Sequence, residues 1–149
     1  MDFDLQRFSL AFVRSMSDAV VYADAKGIIH FWNGGATRIF GFADSEALGR
    51  SLNIIIPEKL RERHWEGYEK TMQTGESRYE AGALLSVPAI RKDGTRISVE
   101  FTIVPFRGED GRMIGIAAVM RDVTKQFEEM RALRKQLADN ILAAKNASK

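Results

Sequence analysis

The sequence predicts an α+β chain in which antiparallel hairpins bracket a block of helices. Three observations predict it. β-branched and aromatic residues flank the turn Asp24-Ala25-Lys26-Gly27, which is a hairpin signal. A second turn, Lys92-Asp93-Gly94, leads into a run in which Ile97, Val99, Phe101 and Ile103 face one way and Arg96, Ser98, Glu100 and Thr102 the other, the period of a half-buried strand. Between the two turns, apolar residues recur at helical spacing with glycine stops.

Taken in order, the first element is an amphipathic helix from Asp2 to Met16. Phe3, Phe8, Phe12 and Met16 recur along it, with Asp2 as its cap. Two strands follow, Ala19 to Ala23 and Ile28 to Trp32, closed by Asn33-Gly34-Gly35. Short helices fit Ala36–Phe40 and Ser45–Leu48, with Gly41 and Gly49 as stops. Pro57 opens a longer helix ending at Gly75, proline being tolerated in a first turn. Leu60, His64 and Tyr68 share one face of it, with Trp65 and Met72 alongside. Gly82 to Arg91 reads as a strand, and Pro88 puts it at a sheet edge or a bulge. The strand Met113–Met120 is apolar on both faces, so its outer face needs a second layer, from the first helix or from a partner subunit. From Lys125 the chain is helical, with Met130, Leu133, Leu137 and Ile141 spaced close to a heptad seam.

Composition excludes several functions. The 149 residues contain no cysteine, which removes disulfides, thiolate metal sites and thiol nucleophiles. Two histidines, His30 and His64, are too few for a protein-built zinc site. Net charge is +2, and residues 123–149 hold six Lys/Arg against three Asp/Glu. With no nucleic-acid reading motif beside it, this reads as a solvated helix face. No apolar run is long enough to span a membrane, and acid stands at the N-terminus where a secretory signal carries base; a cytoplasmic protein is expected. Asp18, Asp24 and Glu100 lie on or near strands without a second acid, base or nucleophile at a recognisable spacing, and there is no phosphate-binding Gly-Lys-Ser/Thr loop. Catalysis is therefore not expected.

Four motifs stand in order. They are Asp24–Asn33, Ala36–Phe42 with Glu46-Ala47-Leu48-Gly49, Arg91-Lys92-Asp93-Gly94-Thr95, and Met120-Arg121-Asp122-Val123-Thr124. Together they resemble the PAS domain. The resemblance implies a five-stranded antiparallel sheet with short helices on one face, flanked by an N-terminal amphipathic helix and a C-terminal coiled-coil-like helix. It divides the chain into a cap helix (1–16), a PAS domain (17–123) and a signalling helix (124–149). It also implies a sensory role, with a pocket signal relayed through the last helix, and it names no ligand.

The resemblance to haem-binding PAS oxygen sensors is partial. Those sensors place an axial histidine seven residues after a proline in the long helix, the separation of Pro57 and His64. It implies haem b as one cofactor, with His64 as its metal ligand, Trp65 and Tyr68 beside it, and Leu85, Phe101 and Ile103 as dry walls. Tyr68 is one residue further from His64 than in those sensors, and Leu85 stands where they carry an oxygen-binding arginine. Such a haem would favour carbon monoxide or nitric oxide. The other reading of His64 is a core or boundary histidine in a PAS domain without haem. Trp32, Trp65, Tyr68, Tyr79 and Phe101 could line a small-molecule pocket or be ordinary core; flavin without cysteine would lack adduct chemistry. His30 is read as a surface residue without a role. The terminal helices need partners for Phe8, Phe12, Met130, Leu133, Leu137 and Ile141, and self-association as a homodimer supplies them. A constitutive dimerisation adaptor without ligand is the reading of a different class.

Overall fold

A computed structural model of the protein describes residues 2–76 and 84–148. The order of elements is α1 (Leu5–Ser15), β1 (Ala19–Asp24), β2 (Ile29–Trp32), α2 (Gly34–Phe40), α3 (Asp44–Ala47), 3-10 turns at Leu52–Ile55 and Glu58–Leu60, α4 (Arg61–Thr74), β3 (Leu85–Ile90), β4 (Arg96–Arg107), β5 (Met113–Asp122) and α5 (Thr124–Ala147). The strands form one antiparallel sheet in the order β2-β1-β5-β4-β3. No helix among the described residues is long and apolar enough to cross a membrane.

The core lies between one sheet face and the helices. Val21, Ile97, Val99 and Met120 from the sheet pack with Trp32, Ala36, Phe40, Ala47 and Ile55. Phe40 is completely buried and its ring centroid lies 5.7 Å from that of Trp32. Trp32 is core, its indole N–H reaching the Phe42 carbonyl at 3.0 Å and the Thr37 hydroxyl at 3.2 Å. Pro88 sits on edge strand β3, where its missing N–H costs no ladder bond on the open side.

Several boundaries differ from the sequence reading. Asp4, not Asp2, caps α1, its carboxylate accepting the Arg7 N–H at 3.1 Å; Phe3 lies outside the helix and packs on Phe8, ring centroids 5.3 Å apart. Asn33 begins α2 rather than ending a hairpin, so Gly34 and Gly35 belong to that helix's first turn. α3 spans Asp44–Ala47, one residue earlier than expected. Pro57 starts a single 3-10 turn, closed by the Leu60 N–H on the Pro57 carbonyl at 2.8 Å, and α4 proper begins only at Arg61. The Pro88 strand is described from Leu85; its expected start at Gly82, and Tyr79, lie outside the described residues.

The first helix does not supply the outer layer of the sheet. Its C-terminal end is fixed against α2 by Asn33, which is buried and fully hydrogen-bonded. The Asn33 carboxamide oxygen accepts the N–H groups of Val20 (2.8 Å) and Ala36 (2.9 Å), and its NH₂ donates to the carbonyls of Val13 (2.9 Å) and Asp18 (3.0 Å). Leu5, Phe8 and Phe12 stay exposed. Val104 and Phe106, on the far face of the sheet, are also exposed, and the rings of Phe106 and Tyr22 meet edge to face, at 5.5 Å between centroids.

α5 leaves β5 through a bonded joint. The Asp122 carboxylate accepts the Thr124 N–H (2.9 Å) and hydroxyl (2.5 Å), while the Thr124 hydroxyl oxygen accepts the Ser98 N–H of β4 (3.0 Å). Beyond this joint no residue of α5 is buried.

Candidate functional site between α4 and the sheet

α4 has an amphipathic pattern set by its aromatic residues. The rings of His64 and Trp65 meet edge-on at 4.7 Å, His64 and Tyr68 lie 5.7 Å apart, and Trp65 and Tyr68 5.3 Å apart. Tyr68 and Thr71 are the buried residues of the helix. A second apolar cluster joins Tyr68 to Met113 and Ile116 of β5, with Leu52, Trp65, Met72 and Ile103 packed on it. Gly75 ends the helix in the left-handed conformation.

Each polar tip has a distinct environment. The Trp65 indole donates to the Asn53 carboxamide at 2.7 Å. The Tyr68 hydroxyl reaches the Asp24 carbonyl at 2.6 Å and the Ala23 carbonyl at 3.3 Å, so α4 is pinned to the β1–β2 hairpin. Burial, then the negative charge of Asp24, push the Tyr68 phenol up; it stays neutral and a donor. His64 Nδ1 is buried without a hydrogen-bond partner. Burial drives the His64 pKa down to about 4, so the imidazole is neutral at physiological pH and carries a free lone pair or an unshared N–H.

The residues predicted to line one pocket separate into two groups. His64, Trp65, Tyr68 and Ile103 lie together. Leu85 and Phe101 are opposite one another across β3 and β4, and Phe101 packs on the main core instead. A cleft of about 410 Å³ opens between the hairpin loop at Ala25 and Lys26, the α4 side chains Trp65, Tyr68 and Met72, and Met113. Trp65 forms its wall by lying on Gly27. That glycine has φ +79° and a Cβ there would collide with the indole ring, so two constraints select glycine at one position.

Sequence reasoning missed two pairs. His30 Nε2 lies 2.7 Å from the Asp24 carboxylate across the hairpin. Burial pushes the Asp24 carboxyl up, but the His30 bond and the N–H groups of Ile28 and Lys26 outweigh it and hold it below the usual range. The signal was available: both residues flank the same predicted turn, six apart. Asp18 likewise has a partner, Arg121, at 3.1 Å. Among the described residues no cluster of three or more acidic or histidine side chains is placed to hold a metal ion.

Comparison with known proteins decides the family. The model of the PAS fold matches residues 9–123. The chain belongs to the PAS family. Sensor protein FixL of Bradyrhizobium diazoefficiens is 32% identical over 91 residues, 61% of this chain and 18% of that protein. Oxygen sensor protein DosP of Escherichia coli is 26% identical over 127 residues, 85% of this chain and 15% of that protein. The PAS domain thus spans about a sixth of the length of these curated relatives. A PAS domain from Colwellia psychrerythraea superposes with a TM-score of 0.71 at 24% identity, covering 82% of this chain and 99% of that one, which speaks to fold alone. The family model and the solved structure agree on a PAS fold, and the two curated relatives that share part of the chain are named as sensors.

Proposed function

We propose that this PAS domain is a cytoplasmic, non-enzymatic signal-transduction module that dimerises and relays a pocket signal through α5. The observation that carries the reading is the placement of α5. Its root is bonded to β4 and β5 through Ser98, Asp122 and Thr124, the strands whose inner faces meet the α4 cluster. Its apolar residues Met130, Leu133, Leu137 and Ile141 remain exposed. A displacement between α4 and the sheet would reach the helix root directly, and a helix pair is a two-state element such a displacement can bias. Phe8 and Phe12 of α1, stacked at 5.7 Å, supply a second part of the dimer surface. Sedimentation equilibrium tests it. Truncation after Asp122 should weaken the dimer while Phe8 and Phe12 retain part of it; an unchanged monomer–dimer equilibrium refutes a role for α5.

One observation favours a second reading, haem b held by His64. A neutral, half-buried imidazole whose buried Nδ1 has no partner has the donor chemistry of an axial ligand. When bound, haem supplies a metal centre for a diatomic gas. The chain's own contribution would be His64 as ligand, with Trp65, Tyr68 and Ile103 beside it keeping water out; Leu85 and Phe101, on the other cluster, would take no part. Protein from haem-supplied cells should show a Soret band that His64→Ala abolishes. A wild type without such a band, or a variant with the same band, refutes this reading and leaves the relay reading standing.

A further inference from the structure

α5 carries a charge pattern as well as an apolar stripe. It is 24 residues long, about 36 Å. Met130, Leu133 and Leu137 are 51%, 60% and 60% exposed, too much for a helix whose partner lies within the protomer. Setting Met130 and Leu137 at position a of a heptad puts Leu133 at d, Asn140 at the next d and Ala144 at the next a. Phe127, Arg134 and Ile141 then fall at e, and Glu129 falls at g.

In a parallel two-stranded coil, a g residue faces the e residue of the following heptad on the other helix. Glu129 and Arg134 have that separation. They are five residues apart, so they do not meet on one helix, and neither takes part in an ion pair among the described residues. A two-fold axis makes the contact occur twice. Asn140, at a d position, would face its own copy across the axis, so the two carboxamides can hydrogen-bond to each other only when the helices are in register. A competing frame through Phe127, Met130, Arg134, Leu137 and Ile141 buries Arg134 against its own copy, leaving like charges desolvated.

We infer that α5 pairs with α5 of a second copy, parallel and in register, with Met130, Leu133 and Leu137 in the seam and reciprocal Glu129–Arg134 ion pairs along its flanks. This rests on the dimer reading above and adds orientation, register and the pairing residues. Both helices then deliver their C-terminal ends to the same side.

The test is a charge swap on the full chain, read by sedimentation equilibrium at low salt. Glu129→Arg and Arg134→Glu should each raise the dimer Kd about tenfold, since two attractions become two repulsions. The double variant should return to within about twofold of wild type, and about 1 M salt should compress all the differences. Circular dichroism should report the same helix content in every variant, because both positions are solvent-exposed. A double variant no better than the singles, or a wild-type dimer that none of the swaps perturbs, overturns the pairing while leaving the dimer reading intact. Arg134→Leu tightening the dimer while Glu129→Arg has no effect overturns it in favour of the competing frame. A wild type that stays monomeric at all concentrations overturns the dimer reading itself.

Discussion

Replacing His64 by leucine should flatten the acid dependence of stability. The folded imidazole titrates at about 4 against an ordinary value of 6.5, because burial disfavours its charged form. A depressed histidine pKa means that the unfolded chain binds the extra proton first. Stability from this group is therefore complete above about 6.5, falls as pH drops toward about 4, and changes no further below that. The interval corresponds to roughly 3 kcal/mol at 1.36 kcal/mol per pH unit, an upper bound for a group at the edge of the interior. Leucine removes both the titration and the unpartnered Nδ1, so the variant should equal or exceed wild type at pH 5. Denaturant melts at a series of pH values between 4 and 7.5 measure this, and the difference between the two curves isolates His64 from the carboxylates. Parallel curves would refute the account, since they would mean that His64 is solvated in the folded protein.

Asn33→Ala removes four hydrogen bonds at a buried position and should cost more than about 2 kcal/mol in a denaturant melt; a cost within about 0.5 kcal/mol would mean that Asn33 does not organise the α1–β1–α2 corner. Phe101→Ala should cost about 1–3 kcal/mol, below the roughly 3–5 of a fully buried phenylalanine, because Phe101 is only half-buried. Gly27→Ala forces both a left-handed alanine and a clash with Trp65; it should destabilise by more than about 1 kcal/mol and alter tryptophan fluorescence, and an unshifted emission spectrum would contradict the placement of Trp65 on the turn.

The elements with strict periodicity were legible. The alternation of Ile97, Val99, Phe101 and Ile103 fixed both the strand and its inner face, and Pro88 marked the sheet edge. Helix starts were less so, for specific reasons. Asp2 and Asp4 are equivalent as letters, and only the geometry of the Arg7 N–H chooses between them. Pro57 marks the end of an extended segment as well as a helix start, and here a 3-10 turn intervenes. In the candidate site, helical spacing placed His64, Trp65 and Tyr68 together. It could not separate Ile103, which joins them, from Phe101, which faces the other cluster two residues away along the same strand face. The Asp24–His30 contact was signalled by the turn the two residues flank, but the pairing itself depends on the hairpin register, which shifts between Tyr22 and Ala23.

Ala19, the first residue of β1, lies opposite Met120 near the end of β5, and the Asp18–Arg121 pair ties the residues just beyond them. The chain therefore enters and leaves the sheet at the same pole. Adjacent antiparallel strands run about 5 Å apart, so the two connections sit side by side rather than on opposite ends of the molecule. A domain built this way can be spliced between two helices, or strung in tandem with others, without any segment having to travel around it. Under the relay reading proposed above, a twist applied at the incoming connection would be handed to the outgoing one across a single pair of strands, making the domain a short coupling collar between them.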